Sequence, residues 1–206
     1  MMLAINGIPV VAIELKNQLT GQSVDDAKRQ WAYNRNPKDP AFGFNKRILA
    51  YFACDLYDVY MTTKLEGAQT YFLPFNQGTN GAGNTGGAGN PVNPNGYATS
   101  YLWEEVLQRD SLLDLIHRFI SFVKEKEEVV KNGASKTVTR EKMIFPRYHQ
   151  YDVVRKVLAD VKQNGVGTNY LIQHSAGSGK SNSIAWIAYR LASVHDAENN
   201  GLFDSV

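Results

Sequence analysis

Apolar residues recur along this chain with two periods, and the change between them marks its parts. Residues 3–5 and 8–16 are short apolar runs on either side of Asn6-Gly7, a dipeptide that accepts positive φ at both centres of a tight turn, so they predict an antiparallel hairpin. Along the second strand side chains alternate. Val11, Ile13 and Leu15 take one face, and Val10, Ala12, Glu14 and Lys16 the other. Ser23 and Asp26 have capping-box spacing, and Val24, Ala27 and Trp31 follow at helical intervals, which predicts a helix over 23–34. Short β-branched and aromatic runs predict further strands at 47–54, 58–63 and 69–73.

The period then lengthens. Leu112, Leu113, Ile116, Phe119, Ile120 and Val123 form an amphipathic stripe capped by Asp110, and the charge run 124–128 reads as its solvated end. Val153, Val154, Val157, Leu158 and Val161 predict a second helix closing near Asn164-Gly165. A short strand over 169–173, a glycine-containing loop and a helix over 179–194 complete the pattern, and a further strand is expected to begin at Val206. No internal repeat is present.

Composition sharpens the divisions. Residues 76–95 carry no charge and contain six Gly and six Asn, a composition that recovers little of the entropy of ordering, so 76–98 reads as a flexible Asn/Gly-rich loop. It separates residues 1–75 from a helical connector at 99–139, whose end at 131–139 is polar and small, and from a final segment at 140–206. The 206 residues hold 22 Lys and Arg against 20 Asp and Glu, a formal balance of +2 that leaves room for a local basic patch only. Six basic residues against Asp39 alone lie between Lys28 and Arg47, a stretch that suits a polyanion or a solvated surface equally well. No apolar run approaches the roughly 18 residues of a membrane-spanning helix. A single cysteine, Cys54, and an N-terminus without a basic n-region point to a reduced, cytoplasmic setting. His117, His149 and His195 share no metal spacing with Cys54.

Two constellations carry chemistry. Glu14 and Lys16 sit side by side on one strand face, and an unpaired charge there would cost several kcal/mol if both sheet faces are covered. A carboxylate offers hard oxygen to Mg²⁺, and an adjacent ammonium orients water and balances charge on a phosphate, an arrangement suited to phosphodiester hydrolysis. An ordinary ion pair at an exposed strand end is the plainer alternative. Gln30 and Tyr33 share a face of the following helix, from which they could support that site or a DNA phosphate.

The second constellation is His174-Ser175-Ala176-Gly177-Ser178-Gly179-Lys180-Ser181 between a strand and a helix. Gly177, Ser178 and Gly179 turn backbone N–H groups toward a phosphate, Lys180 reaches the β- and γ-phosphates, and Ser181 offers a hydroxyl to Mg²⁺. His174 stands where the full pattern has a small residue. A Gly/Ser turn that only links strand and helix is the alternative.

The stretch Asn6-Gly7-Ile8-Pro9-Val10-Val11-Ala12-Ile13-Glu14-Leu15-Lys16-Asn17 resembles the restriction (R) subunit of type I restriction-modification enzymes, and its hairpin with Glu14-Leu15-Lys16 resembles the PD-(D/E)xK nuclease core. The resemblance implies an α/β fold: a nuclease-like mixed sheet with helices at 1–75, lacking its first strand, then at 140–206 the beginning of a RecA-like P-loop helicase domain. Glu14 is implied as metal ligand, Lys16 as catalytic lysine and Gln30 as a supporting residue. The family's metal-binding Asp has no counterpart before Asn6 and is expected ahead of Met1. The Gln30 to Tyr33 spacing is one residue narrower than the family's. Gln150, with Arg147 and Tyr148, resembles the adenine-reading glutamine motif of superfamily 2 helicases, and His174 matches the R-subunit form of the phosphate loop.

The resemblance further implies an ATP-dependent endonuclease subunit using ATP and Mg²⁺, acting on double-stranded DNA with methylation and specificity subunits, and without a membrane. The 206 residues hold no acidic Walker B motif and no arginine finger, so as a fragment they are expected to cleave and hydrolyse poorly on their own. Two other readings stay open on sequence alone: a P-loop DNA helicase or translocase with a non-cutting nuclease-like DNA grip, and a piece that folds without either activity.

Overall fold

In the computed structural model, residues 1–131, 134–195 and 198–203 are described; the strand expected at Val206 lies outside them. A mixed five-stranded sheet forms in the order β1 (Met2–Ile5), β2 (Ile8–Leu15), β3 (Ala50–Cys54), β4 (Val59–Thr62) and β5 (Leu73–Pro74). Asn6 and Gly7, at φ 49° and 80°, close the β1–β2 hairpin as their types dictate. Strands β2 and β3 run parallel, with Glu14 opposite Ala53, whereas the β1–β2, β3–β4 and β4–β5 pairs are antiparallel. The parallel pair requires a crossover, and α1 (Val24–Asn34) supplies it.

Both faces of the sheet are covered, which explains why every residue of β3 is buried. On one face Ala12, Tyr51 and Ala53 pack against Val24, Ala27 and Trp31 of α1. On the other, Val11, Ile13 and Phe52 meet a core built from a π-helical turn at Leu102–Val106, α2 (Arg109–Arg118) and α3 (Tyr148–Asn164). Phe52, Phe75, Phe145 and Tyr148 pack ring against ring across this junction with centroids 5.3–6.2 Å apart, edge to face except for the tilted Phe75–Phe145 pair. Helix α4 (Lys180–Leu191) joins the same core, where the Trp186 indole donates to the Phe119 carbonyl at 3.0 Å and Arg190 grips Asp114 with two bonds of 2.9 and 3.0 Å.

Asp55, at the end of β3, fixes the start of α1. Its buried carboxylate accepts from the Val24, Tyr57 and Asp58 amides at 2.8–2.9 Å, so one side chain closes the β3–β4 turn and satisfies an amide that α1 leaves free.

Several sequence expectations change. The strand expected at 69–73 shrinks to Leu73–Pro74, because Thr70 folds back onto the Gly67 carbonyl through both its amide and its hydroxyl. Helix α2 starts after Gln108 rather than at an Asp110 cap, and it ends at Arg118. The run 124–128 is no helix end. It belongs to β6 (Ser121–Lys131), which pairs with β7 (Ala134–Ile144) in a two-stranded ribbon, so the connector at 99–139 is only partly helical. Charges of opposite sign face each other across this ribbon, with Lys124 on Glu141 at 2.8 Å, Arg140 on Glu127 at 2.9 Å, and Lys142 on Glu125. The segment 76–98 takes specific partners: the Gln77 amide bonds the Asn90 side chain, Gly78 bonds Gly89, and Lys156 of α3 donates to the Ala82 carbonyl.

Residues 169–173 form no strand. A strand needs a neighbour for its backbone groups, and no other described strand lies beside this segment, whose Leu171 is exposed. The described residues therefore show no RecA-like sheet. None of their helices is long and apolar enough to cross a membrane.

Candidate functional site

The pleat of β2, continued one residue past its end, carries Glu14 and Lys16 to the face that α1 covers, and Gln30 comes down from the second turn of that helix. The three side chains meet. Lys16 Nζ donates to Gln30 Oε1 at 2.6 Å and lies 3.6 Å from Glu14 Oε1, with the Glu14 and Lys16 side chains only 16% and 11% exposed. Trp31 holds the helix in register, since its indole N–H donates to the Phe52 carbonyl at 2.9 Å. Tyr33 is 69% exposed and takes no part.

A residue that sequence patterning counted only as one of six basic positions completes the group. Arg35, just past the last turn of α1, reaches back over the Trp31 ring to Glu14 Oε2 at 3.4 Å. Glu14 thus lies between two cations. Among the described residues no group of three or more His, Cys, Asp or Glu could hold a metal. The donor set fits Mg²⁺ shared with substrate phosphate oxygens, where one or two carboxylates suffice, and does not fit a closed protein cage.

The second constellation gathers at the start of α4. Gly177 and Gly179 have φ 70° and 82°, and Gly179 caps the helix. A side chain at Gly179 would be strained by the positive φ and would push the Gln150 amide aside, since a Cβ there would stand 2.6 Å from Gln150 Nε2. Gln150 is buried and doubly engaged: its Nε2 donates to the Gly179 carbonyl at 2.8 Å and its Oε1 accepts from the Arg147 amide at 2.9 Å. The Lys180 ammonium curls onto the His174 and Ser175 carbonyls at 3.3 and 3.0 Å, and Ser181 is exposed. Gly177 has open space around its Cα, whereas Lys180 is engaged within the loop and the Ser181 hydroxyl faces solvent. Beside it a cleft of about 560 Å³ runs between Lys64, Tyr71, Arg147, Gln150 and Gly177–Gly179.

His149 and His174 stack edge to face at 4.7 Å beneath this loop, a pairing that sequence spacing did not reveal. His149 Nε2 lies 3.1 Å from the Ser178 carbonyl, so that nitrogen carries the ring proton. Burial holds the His149 pKa below its ordinary 6.5; the Ser178 carbonyl opposes this and His174 adds to it. His174 is lowered too, first by burial and then by the Lys180 charge. Both rings are neutral at neutral pH, and the stability this brings is complete above 6.5 and is lost as pH falls through the lower folded values, because the unfolded chain takes the protons first. Thermal unfolding followed from about pH 7.5 to 5.5 is expected to show a smaller loss of Tm in His149→Asn than in wild type.

Residues 1–70 match the family model described as type I restriction enzyme R protein N terminus (HSDR_N), in agreement with the resemblance carried by residues 6–17. No curated protein and no solved structure matches the chain.

Proposed function

We propose, from the match of residues 1–70 to the R-protein N terminus, that this chain is the N-terminal part of an R subunit: a PD-(D/E)xK-type endonuclease core followed by the opening of an ATP-driven DNA motor. The observation that carries the reading is the convergence of Glu14, Lys16 and Gln30 within that matched segment. In phosphodiester hydrolysis a water attacks phosphorus and one P–O ester bond breaks. Lys16 stands where an ammonium can orient that water and balance charge on the phosphoryl oxygens, and Gln30 fixes the ammonium by its 2.6 Å bond. Glu14 offers the hard oxygen that would hold Mg²⁺ against the phosphate, and when bound the ion supplies Lewis-acid stabilisation.

Gly177, Ser178, Gly179, Lys180 and Ser181 would hold ATP and its Mg²⁺, with Gln150 tying the loop to α3 at the place where an adenine is read in helicases of superfamily 2. On this reading duplex DNA is translocated and cut in defence against foreign DNA, in the cytoplasm, with methylation and specificity subunits as partners. Lys180→Ala is expected to weaken ATP binding about 10–100-fold, as the loss of a bond to a charged phosphate implies. Nucleotide titration by calorimetry checks this, and equal affinities in variant and wild type would remove the phosphate-loop assignment.

A second reading has one observation in its favour. Glu14 is paired with a cation on each oxygen, which would suit a nuclease-like domain that grips DNA without cutting inside an ATP-driven translocase. ATP turnover with no Mg²⁺-dependent cleavage would select it.

A further inference from the structure

The Glu14 carboxylate has a different cation on each oxygen, and the two are held differently. Lys16 spends its short bond, 2.6 Å, on Gln30 and stands 3.6 Å from Glu14 Oε1. Its position is set by α1 and would persist without Glu14. Arg35 has no bond that short: apart from Glu14, its guanidinium donates, among the described residues, only to the Asn34 carbonyl, at 3.3 Å. It leaves the helix in extended backbone, φ −121° and ψ 117°, its guanidinium carbon lies 5.8 Å from the Trp31 ring centroid, and it touches Glu14 Oε2 at 3.4 Å with 32% of its side chain exposed. A charge-assisted bond at full strength is about 2.7–2.9 Å long, so this contact is loose. The Asn34 carbonyl lies at the negative end of the α1 dipole, so it keeps the guanidinium nearby through a bond about as long as the one to Glu14.

We propose that Arg35 is a displaceable counter-ion of the Glu14 site: it occupies the carboxylate oxygen that a divalent cation would use, must leave when the cation binds, and then turns its fork toward a phosphate of the DNA duplex. The inference rests on the reading of Glu14 as a metal ligand. A guanidinium is matched to this exchange because it stays charged in both positions and its planar fork fits a carboxylate and a phosphodiester equally. Two like charges cannot share one carboxylate at close range without mutual repulsion, so Arg35 and the cation compete. Coupling is the consequence: a nearby phosphate that draws Arg35 away favours the cation, and the cation frees Arg35 for the phosphate.

The test is Mn²⁺ binding by the whole chain without DNA, read as the loss of the free-ion electron paramagnetic resonance signal, for wild type, Arg35→Ala and Glu14→Gln. Removing the competitor should tighten Mn²⁺ binding in Arg35→Ala about tenfold, while Glu14→Gln should abolish it. Unchanged or weaker binding in Arg35→Ala, with Glu14→Gln still inactive, overturns the counter-ion role alone. Binding that neither wild type nor Arg35→Ala shows likewise overturns the counter-ion role, whereas binding that Glu14→Gln leaves intact removes the metal-ligand reading beneath it. A second arm titrates a short duplex in Ca²⁺ across a salt series. Arg35→Ala should reduce the slope of log affinity against log salt by about one, the signature of one lost phosphate contact. An unchanged slope overturns the turn toward DNA.

Discussion

Lys16→Ala is expected to lower Mg²⁺-dependent cleavage of duplex DNA by about 10²–10³-fold, the usual cost of removing one preorganised charge from a developing anion. The substitution acts at one point. It takes away the ammonium that Gln30 holds 2.6 Å from its Oε1, while the backbone bond from the Lys16 amide to the Cys54 carbonyl keeps β2 against β3. Glu14 keeps Arg35, so the carboxylate is not left as an uncompensated buried charge. Folding should therefore survive and cleavage should not. Under the proposed function, the assay compares plasmid linearisation by the wild-type and variant protein assembled with the proposed partner subunits, with ATP turnover measured beside it. Lost cleavage with retained turnover separates the nuclease centre from the motor, and equal cleavage by both proteins would defeat the assignment of Lys16.

Trp31→Ala is expected to destabilise the protein by about 3–5 kcal/mol. Trp31 is 2% exposed, its ring meets Tyr51 at 5.2 Å and Phe42 at 6.2 Å, and its indole N–H satisfies the Phe52 carbonyl of the central strand. Truncation leaves a large void between α1 and the sheet together with an unpaired buried acceptor, two losses that add. Because Gln30 rides on the same turn, the variant should also cleave poorly under conditions where it remains folded. Urea unfolding reads the first effect as a lower midpoint at an unchanged slope. A loss below about 1 kcal/mol would mean that α1 is not anchored as described.

How far the sequence reveals this molecule depends on whether a local rule had a competitor. Asn6-Gly7 has almost none, since few dipeptides accept two positive φ angles, and the hairpin is the direct result. The two-residue pleat then puts Glu14 and Lys16 on one face, and the helical period of Val24, Ala27 and Trp31 turns Gln30 toward them. Arg35 was not legible in the same way. It lies beyond the helix, where no period governs direction, and only the folded path of α1 over β2 returns it to Glu14.

The β6–β7 ribbon was misread because its stability comes from pairs of opposite charge across strands; within one strand the same residues form a mixed charge run of the kind seen on a solvated helix. The strand expected at 169–173 fails for the reverse reason. Its composition is right, but strand formation is a property of neighbours, and the described residues supply none. The link between Gln150 and Gly179, and the stacking of His149 on His174, join segments some 25 to 29 positions apart and carry no sequence period at all.

The Glu14 centre is tested most sharply by a crystal structure of this protein with a short DNA duplex and Ca²⁺, an ion that binds carboxylate and phosphate oxygens as Mg²⁺ does with a looser geometry. Metal-assisted cleavage at this centre predicts a cation on a Glu14 carboxylate oxygen, a backbone phosphate against it, and the Lys16 ammonium within hydrogen-bond distance of that phosphate or of a water beside it. A duplex seated elsewhere, with Glu14 still paired to Lys16 and Arg35 and no cation between protein and phosphate, would contradict it.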